Sequence, residues 1–210
     1  MQQSSVPTAG QSSSVTWECD CLAHRFGNAA DNGLRQPRYP TDMTDVEWAA
    51  VRPLLPVPGW MRGRDGRPEA YCHRAVLDAI RYLVDNGIKW RAMPADFPPW
   101  DRVYAFFRRW RDHGLVKEFH DRLRAQVREK AGRDAEPTAA VIDSQSVKAD
   151  RPVSHDATLY KDRNTVERAI NKFKESRGLA TRYDKTPESY AVGLHLRGSI
   201  LWLRSLPALP

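Results

Sequence analysis

The chain has 210 residues, room for one ordinary domain or two small ones. Hydrophobic residues make up 41% and charged residues 28%, a soluble globular composition with flexible parts, and no uninterrupted apolar run reaches the ~18 residues of a membrane span. The formal charge of +7 favours a polyanionic partner, most often nucleic acid.

The N-terminus "MQQSSVPTAGQSSS" is polar and lacks the basic and apolar regions of a signal peptide, so the protein is expected in the cytoplasm. The three cysteines, Cys19, Cys21 and Cys72, form no disulfide framework and suit a reducing compartment. Cys19-Asp20-Cys21 followed by His24 has zinc-ligand residue types. A lone C-x-C lacks the second ligand pair of a structural site, however, and the stretch reads as a disordered segment and not as a metal site. Residues 1–37 show no sustained apolar period, and disorder is the expectation for them, with some local order around Trp17 or Phe26.

Order should begin at "YPTDMTDVEWAAVRPLLP". Thr44 with Glu47 makes a capping box, Val46, Trp48, Val51, Leu54 and Leu55 supply an apolar side, Pro53 shortens the last turn and Pro56 ends it. A Gly-, Pro- and Arg-rich loop, "VPGWMRGRDGRP", comes next. A second helix is expected over Tyr71 to Asn86, striped by Val76, Ile80, Leu83 and Val84 and stopped by Gly87. After the aromatic link "IKWRAMPADFPPW", Val103, Phe106, Phe107 and Trp110 mark a helix from Trp100 to His113. Phe119, Leu123 and Val127 mark another from Val116 to Ala131.

The outer sides of these two helices are basic. Arg102, Arg108, Arg109 and Arg111 lie on the first, and Arg122, Arg124, Arg128 and Lys130 on the second. Each can be plain solvated surface, or the set can meet phosphates, because like charges this dense repel one another unless an anion is near. Helix, sharp link, helix also fits a helix-turn-helix-like DNA reader.

At "EPTAAVIDSQSVKAD" the period changes. Thr138 to Ile142 is a short β-branched run ending on Asp143, the pattern of a buried strand delivering a carboxylate, although many strands end in Asp because Asp begins turns. Beyond it stands "LYKDRNTVERAINKFK". On a helix at ~100° per residue with Tyr160 at zero, Arg163, Glu167 and Lys174 fall near ~300°, ~340° and ~320°, one arc of about 60°. Val166, Ile170 and Phe173 lie on the adjacent face. This is either an ordinary run of surface ion pairs or one wall of an active site.

Tyr160-x2-Arg163-x3-Glu167-x6-Lys174 resembles the Y-R-E-K signature of bacterial insertion-sequence transposases of the DDE type, and "GLATRYDKTPESY" resembles its continuation. "RYPTDMTDVEWAAVRPLLP", "RAVLDAIRYLVDNGIKWRAMPADFPPWDRVYAFFRRWRDHGL" and "AVIDSQSVKA" resemble the N-terminal half of insertion-sequence family five, so the likeness spans about Arg38 to Leu206. It implies a ribonuclease-H-like sheet and helix that gather Asp, Asp and Glu around two Mg²⁺ ions for in-line phosphoryl transfer. By that resemblance Asp143 is the first acid and Glu167 the third, both catalytic and both metal ligands. Arg163 and Lys174 would meet DNA phosphates near the cut, and Tyr160 would flank that strand.

The second aspartate is missing. Only twenty-three residues separate Asp143 from Glu167, whereas a single βαβ crossover takes ~30. An in-frame internal deletion near Asp150–Arg151 accounts for the abrupt change of text. Asp150, Asp156 and Asp162 are poor substitutes, being turn or capping residues or facing elsewhere. The expected fold is therefore mainly α. A disordered extension (1–37) precedes a helical DNA-binding-like region (38–134), and an incomplete ribonuclease-H-like (α/β) remnant follows as a first strand (135–150) and a catalytic helix (151–210). "SYAVGLHLRGSILWLRSL" reads as an apolar helix whose Tyr190, Leu194, Leu201 and Trp202 would lack a covering surface.

The resemblance implies a transposase that binds the terminal inverted repeats of its element, alone, as a homo-oligomer or mixed with full-length transposase. Strand cleavage and joining would be lost with the missing acid. The alternatives are a non-enzymatic DNA-binding regulator of an intact transposase and a fragment without function.

Overall fold

The computed structural model describes residues 19, 21–25, 35–59, 70–137 and 157–206. Among these, every regular element is a helix: α1 (Leu22–Arg25), α2 (Asp45–Val51), α3 (His73–Asn86), α4 (Trp100–Asp112), α5 (Leu115–Lys130), α6 (Ala157–Lys174), α7 (Arg177–Ala180) and α8 (Pro187–Ser205), with 3₁₀ turns at Arg52–Leu54 and Trp90–Ala92. None is long and apolar enough to cross a membrane.

Local chemistry accounts for the helix ends. Thr44 Oγ1 accepts from the Glu47 N–H at 3.1 Å, and a Glu47 carboxylate oxygen accepts from the Thr44 N–H at 2.8 Å, closing the box that starts α2. Pro53 converts the end of that helix into a 3₁₀ turn. Trp48 and Val51 enter the core as expected, but Val46 stays exposed because it falls on the solvent side of this short helix. Gly87 stops α3 in the left-handed region, φ 61°, with its N–H donating to Leu83 at 2.9 Å. α4 and α5 are joined by His113 and Gly114 alone. The stripes on α3 (Val76, Ile80, Leu83), α4 (Val103, Phe106, Phe107, Trp110) and α5 (Phe119, Leu123) meet in one apolar cluster.

α8 completes that cluster and corrects the expectation that it lacks a partner. Val192, Leu196, Ile200 and Leu203, spaced as i, i+4, i+8 and i+11, are buried, and the helix packs chiefly along α5 while touching α2, α3, α4, α6 and α7. Tyr190, Leu194 and Trp202 are half-buried at the edge of the core instead of stranded in solvent, and Leu201 is half-buried as well. Close approach is possible because α8 carries Gly198 at the crossing, where a Cβ would sit 2.9 Å from His120 Nε2. Trp202 Nε1–H donates to that same His120 nitrogen at 3.2 Å. Arg197, buried on α8, donates to the Lys172 carbonyl at 3.0 Å and pairs with Glu175 at 2.8 Å, which ties the end of α6 to the core.

The ribonuclease-H-like remnant has no counterpart among the described residues. The expected strand at Thr138–Ile142 and Asp143 lie outside them. α6, the expected catalytic helix, packs on α7 and α8 and not on a sheet. A buried strand needs backbone partners, and the described elements, all helical, offer none. In the 1–37 segment, for which disorder is the expectation, the described residues include α1, and Cys21 and Ala23 belong to the core.

Candidate functional site

On α6, Val166, Ile170 and Phe173 are half-buried, and Phe173 packs against the main cluster, so the side expected to pack does so. Glu167 and Lys174 are exposed on the neighbouring face. They are two turns apart, about 10 Å along the axis, and so line one row without forming a pair. Tyr160 and Arg163 belong to the same helix, and their side chains lie outside the described residues, as does the whole of Asp143. The structure thus presents the third expected acid and the last expected base on one helix, and no described carboxylate joins Glu167 in a cluster that could hold a metal ion.

The arginines of α4 divide into two sets. Taking Arg102 as zero at ~100° per residue, the core stripe centres near ~90°, Arg102 and Arg109 lie within about 20° of each other on one flank, and Arg108 and Arg111 lie on the other. Arg102 and Arg109 are exposed, and Arg102 stands 3.5 Å from Asp101. The opposite flank is aromatic as well as basic. Trp100, Tyr104, Arg108 and Arg111 repeat as i, i+4, i+8 and i+11, with the Arg108 guanidinium 6.0 Å from the Tyr104 ring centre. Trp90 packs edge-on to Tyr104 at 5.0 Å, and Arg91 stands over the Trp100 ring at 5.3 Å. Arg111 is a tie between helices: it donates to Ser189 Oγ on α8 at 2.9 Å and pairs with Asp112 at 2.8 Å. Trp100 and Arg91 extend this surface beyond the residues picked from the sequence. The signal that would have found them is the aromatic repeat alternating with arginines across the link into α4.

The base on α5 is largely answered within the chain. Arg122 pairs with Glu118 and donates to the Leu54 carbonyl at 3.3 Å, and Arg124 lies 3.4 Å from Asp121 and 3.3 Å from Glu136. Arg128 donates to the carbonyls of Asp134 at 2.7 Å and Glu136 at 3.3 Å. Density of arginine therefore does not by itself require an external anion here. On α4, Arg102, Arg108 and Arg109 are exposed, as is Lys174 on α6.

A buried ionic cluster sits where the N-terminal segment meets α3. Arg35 lies 2.9 Å from Asp42, 3.2 Å from Asp96 and 3.9 Å from Asp78. Burial works against the Asp42 carboxylate, but Arg35 and the N–H groups of Tyr39 and Arg38 outweigh it and hold the carboxyl below its ordinary value. Asp78 is different. Its Oδ1 accepts one N–H, from Met43 at 2.9 Å, and burial pushes its pKa up to about 7. With Arg35 at its centre and Asp42 Oδ2 accepting from Arg35 and the Arg38 and Tyr39 N–H groups, the cluster acts as a polar core that seats the chain before α2.

Comparison with known proteins matches part of this architecture. Residues 43–120 fit a family model described as "Putative transposase of IS4/5 family". Over 107 residues, 50% of this chain and 71% of the relative, the sequence is 29% identical to the "Insertion element IS402 uncharacterized 16.2 kDa protein" of Burkholderia cepacia. No solved structure matches. The family match covers α2, α3, α4 and the first part of α5, including Arg102, Arg108, Arg109 and Arg111, and stops short of Asp143 and α6. The helical region from Met43 to His120 is therefore similar to insertion-sequence transposase proteins.

Proposed function

We propose that this chain is a DNA-binding protein of the insertion-sequence transposase type that engages the ends of its element and does not cut them. The observation that carries the reading is the setting of α6. Its Glu167 and Lys174 stand on an exposed face of a helix seated on other helices, without a described strand to hold a second and third carboxylate at metal-bridging distance. Two-metal phosphoryl transfer needs acids placed on rigid scaffold within a few ångströms. Asp143 and Glu167 would be the surviving ligands for Mg²⁺, and hard carboxylate oxygens do suit that ion. Two such groups without the intervening strands leave the catalytic set incomplete. Binding would fall to Arg102 and Arg109 on one flank of α4, to Arg108 with the Trp100 and Tyr104 rings on the other, and to Arg163 and Lys174 of α6, with Tyr160 beside them.

The shared core of α3, α5 and α8 favours a folded binding module over a decayed fragment, since the helix beyond the expected deletion is covered by the helices before it. A module that binds element ends without cleavage would compete with, or form mixed oligomers with, an intact transposase. The test is fluorescence anisotropy on duplexes carrying the terminal repeats, beside a strand-transfer assay with Mg²⁺ or Mn²⁺. Binding that weakens steeply with salt is expected, and the Arg102→Ala/Arg109→Ala double variant should flatten the salt slope by about two ions. Strand-transfer products abolished by Asp143→Ala would overturn the loss of catalysis, and salt-independent or absent binding would overturn the DNA-directed reading.

A further inference from the structure

The tertiary structure completes a ligand set that Cys19, Cys21 and His24 only begin. Cys72, the N-cap of α3, brings a third thiol to them. One ligand atom from each of the four residues lies within 4.8 Å of every other. Cys19 Sγ is 3.7 Å from Cys72 Sγ, and Cys21 Sγ is 3.2 Å from His24 Nδ1. A tetrahedral zinc centre with metal–sulfur bonds of ~2.3 Å and metal–nitrogen bonds of ~2.0 Å has edges of about 3.8 Å between sulfurs and about 3.5 Å between sulfur and nitrogen. The Cys19–Cys72 and Cys21–His24 separations fall within about 0.3 Å of those edges, and no other exceeds them by more than about 1.3 Å.

We propose that Cys19, Cys21, His24 and Cys72 form a structural zinc site that fastens the N-terminal segment to the start of α3. Three thiolates and an imidazole are a soft to borderline donor set that selects zinc over magnesium or calcium. With four protein ligands no position remains open for substrate, so the site is structural and not catalytic. Cys72 stands at the N-terminus of a fourteen-residue helix, whose backbone dipoles present their positive end there. Arg35, Arg52 and Arg74 line the cavity that Cys19 and Cys72 share, together with Asp45 and Asp78. Cys21 and Cys72 are each 4% exposed, and Cys19 and His24 are half-buried. A Cys19–Cys72 disulfide would use two of the four groups and leave Cys21 and His24 without a role.

The α1 segment is four residues long and cannot hold itself in place, so the metal bonds would supply the ordering free energy. The full-length chain, purified under reducing conditions, is expected to carry one zinc per chain by native mass spectrometry. Cobalt(II) in its place should give the intense visible bands of a tetrahedral thiolate site. Cys19→Ser is a near-isosteric change at the edge of the core and should leave the helix content by circular dichroism unchanged, yet it should weaken zinc binding at least about tenfold, as should Cys72→Ser. Chelation should speed proteolysis ahead of α2 with little change in helix content. The proposal is overturned if the reduced protein takes up neither zinc nor cobalt, if the Cys19→Ser/Cys72→Ser double variant keeps wild-type affinity, or if the isolated protein holds a Cys19–Cys72 disulfide and no metal.

Discussion

Replacing Asp78 by Asn should change how stability depends on pH. In the folded chain burial pushes the Asp78 pKa up to about 7, while the unfolded chain titrates near the ordinary 3.8. Below about pH 4 the group is protonated in both states and has no effect. As pH rises, the unfolded chain ionises first while the folded chain keeps its proton, so stability falls until the folded carboxyl also ionises near pH 7. The difference between the two values corresponds to about 4 kcal/mol, lost between about pH 4 and pH 8. The Met43 N–H bond, Arg81 and Arg74 favour the ionised form and Asp42 opposes it, and burial outweighs the favourable groups. Asn keeps the oxygen that accepts the Met43 N–H and cannot ionise. Burial also lowers the pKa of His120 and His195, which adds stability above about pH 6.5 and removes it on acidification; both are present in wild type and variant, and they cancel in the difference. Urea unfolding followed by tryptophan fluorescence from about pH 4 to pH 8 should therefore show the variant gaining about 4 kcal/mol on wild type across the window. A difference that stays flat, or that moves against the variant with rising pH, would refute a buried, reluctantly ionised Asp78.

Two further substitutions probe the joint between the helices before and after the expected deletion. Leu196→Ala empties a buried position between α8 and its neighbours and should cost about 2–5 kcal/mol in denaturant unfolding; a cost under about 1 kcal/mol would mean that α8 does not share the core. Gly178→Ala would drive a Cβ to 2.5 Å from the Val84 carbonyl oxygen, backbone against backbone at the contact of α7 with α3. A loss of about 1–3 kcal/mol is expected by thermal or urea unfolding, and an unchanged midpoint would contradict that close approach.

The helices were legible because their causes are local. The Thr44–Glu47 box, the Gly87 stop and the apolar stripes of α3, α4 and α5 depend on residues within a turn or two of one another, and the elements fall within two residues of where those signals put them. The exposed and packed sides of α6 follow from the same periodicity.

Other features depended on residues distant in the chain, and no local pattern could reveal them. Sequence alone showed α8 as an apolar helix, yet its partner face on α5 exists only once the chain has doubled back. Arg111 reads as one more surface arginine until Ser189 of α8 arrives beside it. Cys19, Cys21 and His24 look like half a site because Cys72 reaches them only through the placement of α3. Periodicity and caps are one-dimensional properties that the sequence carries by itself; burial, ion pairing and ligand geometry are set by which distant segments share a volume, and only the packed helices decide that.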